Sequence, residues 1–115
     1  MISIYDLEIR PQHFPRGVTL ATLTYKGKSY NGTRTVEVEY HLDGGNDIWF
    51  IEEGVKTKTL GPDEIVLTES EKMFVKEIGI EVETEHNPPL IAYIEVIAKD
   101  EDGNTDRTSD SITYG

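Results

Sequence analysis

The chain has 115 residues, 37% of them hydrophobic, no cysteine, and 22 acidic against 11 basic residues, for a net charge of −11. This length suits a single domain over 1–115 with a core that needs no staple, and the missing cysteine excludes disulfides and thiolate metal sites. An acidic surface without a basic stripe argues against nucleic acid and anionic membrane as partners, and no stretch reaches the roughly 20 apolar residues of a membrane helix.

From the amino end, Met1-Ile2-Ser3-Ile4-Tyr5-Asp6 has neither a basic segment nor an apolar run, so it does not read as a signal peptide. Ile2 to Ile9 predicts a first strand closed by Arg10-Pro11, and Val18 to Tyr25 a second opened by Pro15-Arg16-Gly17. The clearest periodicity runs from Thr35 to Asp43, where Val36, Val38, Tyr40 and Leu42 alternate with Thr35, Glu37, Glu39 and His41. A period of two specifies a half-buried strand, because a helix would scatter that apolar set around its circumference.

Asp47 to Glu52, with Ile48, Trp49, Phe50 and Ile51, is too short for a helix and predicts another strand. Val55 to Leu60 sets Val55, Thr57 and Thr59 against two lysines, the pattern of an exposed edge. Thr68 to Lys72 could hold a helical turn. Met73 to Glu83 predicts a long strand with Phe74, Ile78, Ile80 and Val82 as apolar members, and Gly79 as the mark of a bulge or bend. Leu90 to Lys99 and Ser109 to Tyr114 complete the set. Turn chemistry separates them at Asn31-Gly32, Asp43-Gly44-Gly45-Asn46, Gly61-Pro62-Asp63 and Asp102-Gly103-Asn104, and Asn87-Pro88-Pro89 forces extended backbone. Seven to eight short strands without an internal repeat make an all-β fold, a two-layer antiparallel β-sandwich of immunoglobulin-like kind.

The segment Ala92-Tyr93-Ile94-Glu95-Val96-Ile97-Ala98-Lys99-Asp100-Glu101-Asp102-Gly103-Asn104 resembles the penultimate strand and hairpin of bacterial Ig-like and fibronectin type III domains. The position that those families give to an aromatic holds Ala92, with Tyr93 beside it. A wider resemblance is to the cell-adhesion-related bacterial domain CARDB. Asp6-Leu7-Glu8-Ile9 is similar to its opening strand, Val38 to Gly44 to its middle strand and turn, and Leu60-Gly61-Pro62-Asp63-Glu64 to its Leu-x-Pro-Gly-Glu turn. The resemblance implies adhesion, surface-layer or virion-accessory roles at a cell or virion surface, with no catalytic residues to carry over.

The residues themselves point away from catalysis. No Gly-x-Ser-x-Gly elbow occurs, His13, His41 and His86 lie in unrelated segments, and no glycine loop opens onto a helix that could cradle phosphate. With 22 acidic residues, carboxylate pairs arise by chance and discriminate nothing.

Asp100, Asp102, Asn104 and Asp106 place oxygen donors at alternate positions, as calcium would require. Glycine comes fourth instead of sixth, however, and Ser111 stands where an EF-hand has its bidentate glutamate, so a plain Asp-Gly-Asn hairpin turn is the favoured reading. Asn31-Gly32-Thr33 fits a glycosylation sequon, and its turn role is preferred.

A partner surface is predicted where alternation fails. In Leu90 to Lys99 one face is wholly apolar, yet the other still carries Ile91, Tyr93 and Ile97. Trp49 and Phe50 must likewise point opposite ways, leaving one of them outside. Exposed apolar groups of this kind mark interfaces unless a loop covers them. The expected partner is another protein or a copy of the chain itself. Carbohydrate, stacked on Trp49 and one or more of Tyr5, Tyr25, Tyr30 and Tyr93, is the alternative. A calcium-rigidified spacer is the third reading.

Overall fold

A computed structural model describes residues 2–11, 13–14, 20–29, 35–44, 48–67, 73–82 and 90–114. Its strands are β1 (Ile2–Arg10), β2 (His13–Phe14), β3 (Leu20–Ser29), β4 (Thr35–Asp43), β5 (Ile48–Glu52), β6 (Val55–Thr57), β7 (Thr59–Val66), β8 (Met73–Val82), β9 (Leu90–Asp100) and β10 (Thr105–Tyr114). A first sheet has the order β1-β3-β8-β5-β6 and a second the order β2-β10-β9-β4-β7. All pairings are antiparallel except the two-residue contact of β2 with β10. The expected two-layer β-sandwich is therefore present.

The core lies between the sheets. Alternate residues of β4 (Val36, Val38, Tyr40, Leu42) and β9 (Ala92, Ile94, Val96, Ala98) face Leu23 and Tyr25 of β3, Ile48 and Phe50 of β5 and Ile80 of β8. At its centre the hydroxyls of Tyr25 and Tyr40 meet across the two layers at 2.6 Å. Phe74, Tyr25, Tyr40 and Phe50 form a row of tilted and edge-on rings with centroids 6.2, 5.9 and 6.4 Å apart. Such edge-on geometry sets ring edges against ring faces, and the hydroxyl pair satisfies two polar groups that burial would otherwise leave costly.

Burial pushes both phenols up from their ordinary value near 10, Tyr40 to about 12 and Tyr25 further still, with the Tyr40 hydrogen bond adding to the effect at Tyr25. A phenol whose pKa is raised by folding gives stability that is intact below about pH 10 and is lost as pH rises through the folded value. Thermal midpoints should therefore hold up to about pH 10 and then fall, more steeply in the wild type than in a Tyr25→Phe/Tyr40→Phe variant. Equal slopes for the two proteins would place the alkaline loss elsewhere.

Several local expectations are corrected. The predicted Val55–Leu60 edge strand is two strands in different sheets, with the crossing at Lys58, whose carbonyl accepts the backbone N–H of Leu42. Gly61-Pro62 is not a turn but a bulge inside β7, where the two residues oppose the single Glu39 of β4. Gly79 sits in unbroken register with Thr22 and Ile51 and makes no bulge. A Cβ there would come within 2.9 Å of the Ile51 side chain, so the glycine makes room for a neighbour.

Other strand limits also shift. β3 runs on to Ser29, past the expected end at Tyr25, and β10 begins at Thr105 and not Ser109. Glu53-Gly54, with φ of 51° and 79°, closes the β5–β6 hairpin as a two-residue turn. The Asn31-Gly32-Thr33, Thr68–Lys72, Asn87-Pro88-Pro89 and His86 readings lie outside the described residues.

Candidate interaction faces

Strands β4, β7, β9 and β10 of the second sheet turn one side to the core, so their other sides form an outer face. On β9 the inward residues Ala92, Ile94, Val96 and Ala98 are fully buried, while outward Ile91 and Tyr93 are 46% and 58% exposed. Ile97 is half-buried, in register between Arg107 of β10 and Glu39 of β4. Tyr93 lies between Ser111 and Asp43, and the next outward row is Ser109, Glu95 and His41. These six side chains line a shallow concavity of about 690 Å³. The rim is polar and locally paired: His41 lies 3.2 Å from Glu39, and Arg107 3.8 Å from Glu95.

Trp49 is on a different surface. Phe50 enters the core and Trp49 faces outward from β5 in the first sheet, half-buried beneath the ammonium groups of Lys56 and Lys58 at 5.1 and 5.0 Å from its ring centroid. Both distances suit cation–π attraction, and Lys58 also donates to the Ile48 carbonyl while Lys56 pairs with Glu81 at 3.6 Å. The four predicted partner residues thus divide between opposite layers, Ile91, Tyr93 and Ile97 on one and Trp49 on the other. The same division separates Trp49 from Tyr93 as stacking platforms. Tyr25 is in the core, Tyr5 is half-buried, and Tyr30 is outside the described residues.

Further exposed apolar side chains were not singled out from sequence: among the described residues these are Leu20 and Val66, and Met73 and Val75, which are 57% and 66% exposed and point outward from β8 opposite Lys28 and Lys26 of β3. The signal for Met73 and Val75 was available, since they fill the odd positions of a strand whose even positions are Phe74, Ile78, Ile80 and Val82.

The acidity is one-sided. Among the described residues, the outer face of the second sheet carries Glu37, Glu39, Asp43, Glu64 and Glu95 against Lys99 and Arg107, five carboxylates to two cations, or −3. Among the same described residues, the outer face of the first sheet carries Asp6, Glu8, Glu77 and Glu81 against Arg10, Lys26, Lys28, Lys56 and Lys58, four to five, or +1. Strand order alone produces this separation from a chain of −11.

The oxygen donors after β9 are drawn apart by the hairpin. Asp100 is buried, and its Oδ1 accepts the backbone N–H groups of Asp102 at 3.0 Å and Asn104 at 2.8 Å, while Oδ2 accepts the Asn104 side-chain amide at 3.2 Å. Burial pushes that carboxyl up, but the hydrogen bonds from Asn104 and Asp102 outweigh it and hold the group below its ordinary value. Asp106 is aimed elsewhere, and its Oδ2 accepts the backbone N–H of Ile4 at 2.7 Å, tying β1 to β10. Asp102 is exposed at the tip. Among the described residues no three His, Asp or Glu side chains converge as metal ligands.

The edges of both sheets are poor templates for strand addition. β1 is interrupted by a bulge at Asp6, which has φ 51°, and Asp106 occupies its Ile4 N–H. β6 is three residues long, and β2 covers the end of β10. β7 carries the Gly61-Pro62 bulge followed by exposed Asp63 and Glu64. At β1, β6 and β7 these features favour association through the faces.

No protein-family model and no curated protein sequence matches the chain. Solved structures do. It is similar to the sporulation control protein Spo0M of Bacillus subtilis (9% identity, TM-score 0.57), covering 98% of this chain and 49% of that one, so the chain spans about half its length. It is similar over 96% of its length to 95% of a conjugative transposon lipoprotein from Bacteroides eggerthii (14% identity, TM-score 0.51). A third similarity, over 99% of this chain and 40% of the other, is to BcpA, the major pilin subunit of Bacillus cereus (12% identity, TM-score 0.50). These likenesses show a shared β-sandwich fold.

Proposed function

We propose that the chain is a non-catalytic protein-interaction module of a cell-surface or virion-associated assembly, meeting its partner through the outer face of the second sheet. The observation that carries this reading is the pair Ile91 and Tyr93, 46% and 58% exposed on a strand whose opposite side is fully buried. Two large apolar groups held in water beside a polar-rimmed concavity cost the folded chain solubility, and a partner that covers them recovers their burial. Rigid strands on both sides fix their position, so little ordering is needed on binding. The occurrence of this fold in a pilin subunit and a lipoprotein supports a surface setting, and the blunted edges favour face-to-face contact over strand addition.

The test is a photo-crosslinking benzoylphenylalanine placed at Tyr93 and, separately, at exposed Asp102 on the hairpin tip, in the cells from which the gene comes. Position 93 should yield a discrete adduct and position 102 none. If 93 gives no adduct, or only the diffuse pattern of 102, this face is not the interaction surface.

A further inference from the structure

We infer that the occupant of the second sheet's outer face is another copy of this chain, which presents the outer face of its first sheet. This rests on the reading above that the Ile91–Tyr93 face is an interaction surface, and adds what fills it. Counted over the described residues, the two outer faces are opposite in sign, −3 against +1, so stacking them brings unlike charge together although each molecule is strongly acidic. Each also presents an exposed apolar pair within its charged surround. Ile91 and Tyr93 sit beside Asp43 and Glu95, and Met73 and Val75 beside Lys28 and Lys26. Apolar pair on apolar pair, with lysines over carboxylates, is the arrangement that electrostatic complementarity selects and that would repel a like face.

Size agrees with this. The molecule measures 47 × 23 × 21 Å, so one broad face offers on the order of the ~800 Å² per partner that a standard interface buries. The long-range repulsion between two acidic molecules falls off within about 8 Å at physiological salt, whereas charges in contact across the faces are screened less. Because the complementary faces lie on opposite layers of one molecule, the contact cannot close on itself as a two-fold dimer does. It leaves a free face of each kind and propagates as a stack.

Sedimentation velocity at physiological salt tests this with the wild type, Tyr93→Asp and Val75→Asp. Both substitutions are at exposed positions, and unchanged thermal midpoints establish that each variant is folded; Met73→Asp serves in place of Val75→Asp should the latter unfold. The wild type should grow past dimer as concentration rises, and each variant alone should stay monomeric over the same range, an affinity loss of at least about tenfold. An equimolar mixture of the two variants should form a dimer and nothing larger, because each supplies the face that the other has lost.

A wild type that stays monomeric, a single variant that still grows, or a mixture that stays monomeric overturns the stack. A crosslink from position 93 to a different protein, with a monomeric wild type, leaves the interaction face standing and removes only the self-association.

Discussion

Replacing Gly61 by alanine is expected to cost the fold about 3 kcal/mol, the sum of a backbone penalty and an overpacking penalty. Gly61 has φ +92°, and a Cβ there would lie 2.4 Å from the Val38 carbonyl oxygen, 3.0 Å from the Asp63 nitrogen and 3.3 Å from the Glu39 Cα. All three are backbone atoms of the β4–β7 ladder, so no side-chain rotation relieves the clash. The left-handed conformation contributes roughly 1–2 kcal/mol for a residue with a Cβ, and displacing packed backbone roughly 1–3 kcal/mol more. Gly54→Ala is the internal control. Its φ is +79° with nothing within 4 Å of the added carbon, so the conformational part alone should appear. Urea unfolding reads both, as a shift in midpoint at constant slope. If the two variants lose the same amount, the β7 bulge relaxes freely and the steric argument fails.

The second large effect is a coupling. Tyr25→Phe and Tyr40→Phe should each destabilise by about 2 kcal/mol, and the double variant by less than the sum, close to a single substitution. The two hydroxyls are 2.6 Å apart in residues exposed by 0% and 1%. Deleting one withdraws the other's partner while leaving its desolvation in place, whereas deleting both removes the stranded polar group and keeps the ring packing with Phe74 and Phe50. Additive losses would mean that each hydroxyl has an alternative partner, and that the pair does not link the two sheets as a unit.

Much of the architecture was legible because strands advertise themselves by period two. The Thr35–Asp43 alternation is reproduced residue for residue, and the fully apolar side of Leu90–Lys99 is the buried side of β9 wherever the structure describes it. The Trp49–Phe50 argument also holds, since one of the two is outside. What the sequence does not show is which strands become neighbours. Trp49 and Tyr93 look like members of one patch along the chain and lie on opposite layers in space, and the separation of charge between the outer faces follows from strand order alone.

Other misses have local causes. Gly61-Pro62 has turn composition, yet a bulge uses the same residues for the same reason, a positive φ and no demand for a ladder N–H. Lys58 carries no breaker chemistry, so the change of sheet at that residue leaves no mark in the alternation of Val55–Leu60. The Asp100–Asn104 stretch, by contrast, is the Asp-Gly-Asn hairpin turn that its sequence favours, with the Asp100 carboxylate holding the turn and Asp106 accepting from Ile4 of the neighbouring strand.

The break in β1 admits a different description, as one residue too many. Ile2 and Ile4 face the core at even positions and Leu7 and Ile9 at odd ones, and the phase changes at Asp6, where β1 slips against β3 between Tyr5 and Glu8. Deleting Asp6 on paper would put all four apolar residues on a single phase and turn β1 into a straight, regular strand. It would also give the sheet a longer and more regular edge along its rim, closer to the profile of a fibril-seeding segment. The extra residue brings only an exposed ion pair, Asp6 with Lys26 at 3.4 Å, which contributes little. Its value is in the neighbour it turns away, so a shortened β1 could fold well and still be the more hazardous protein at high concentration.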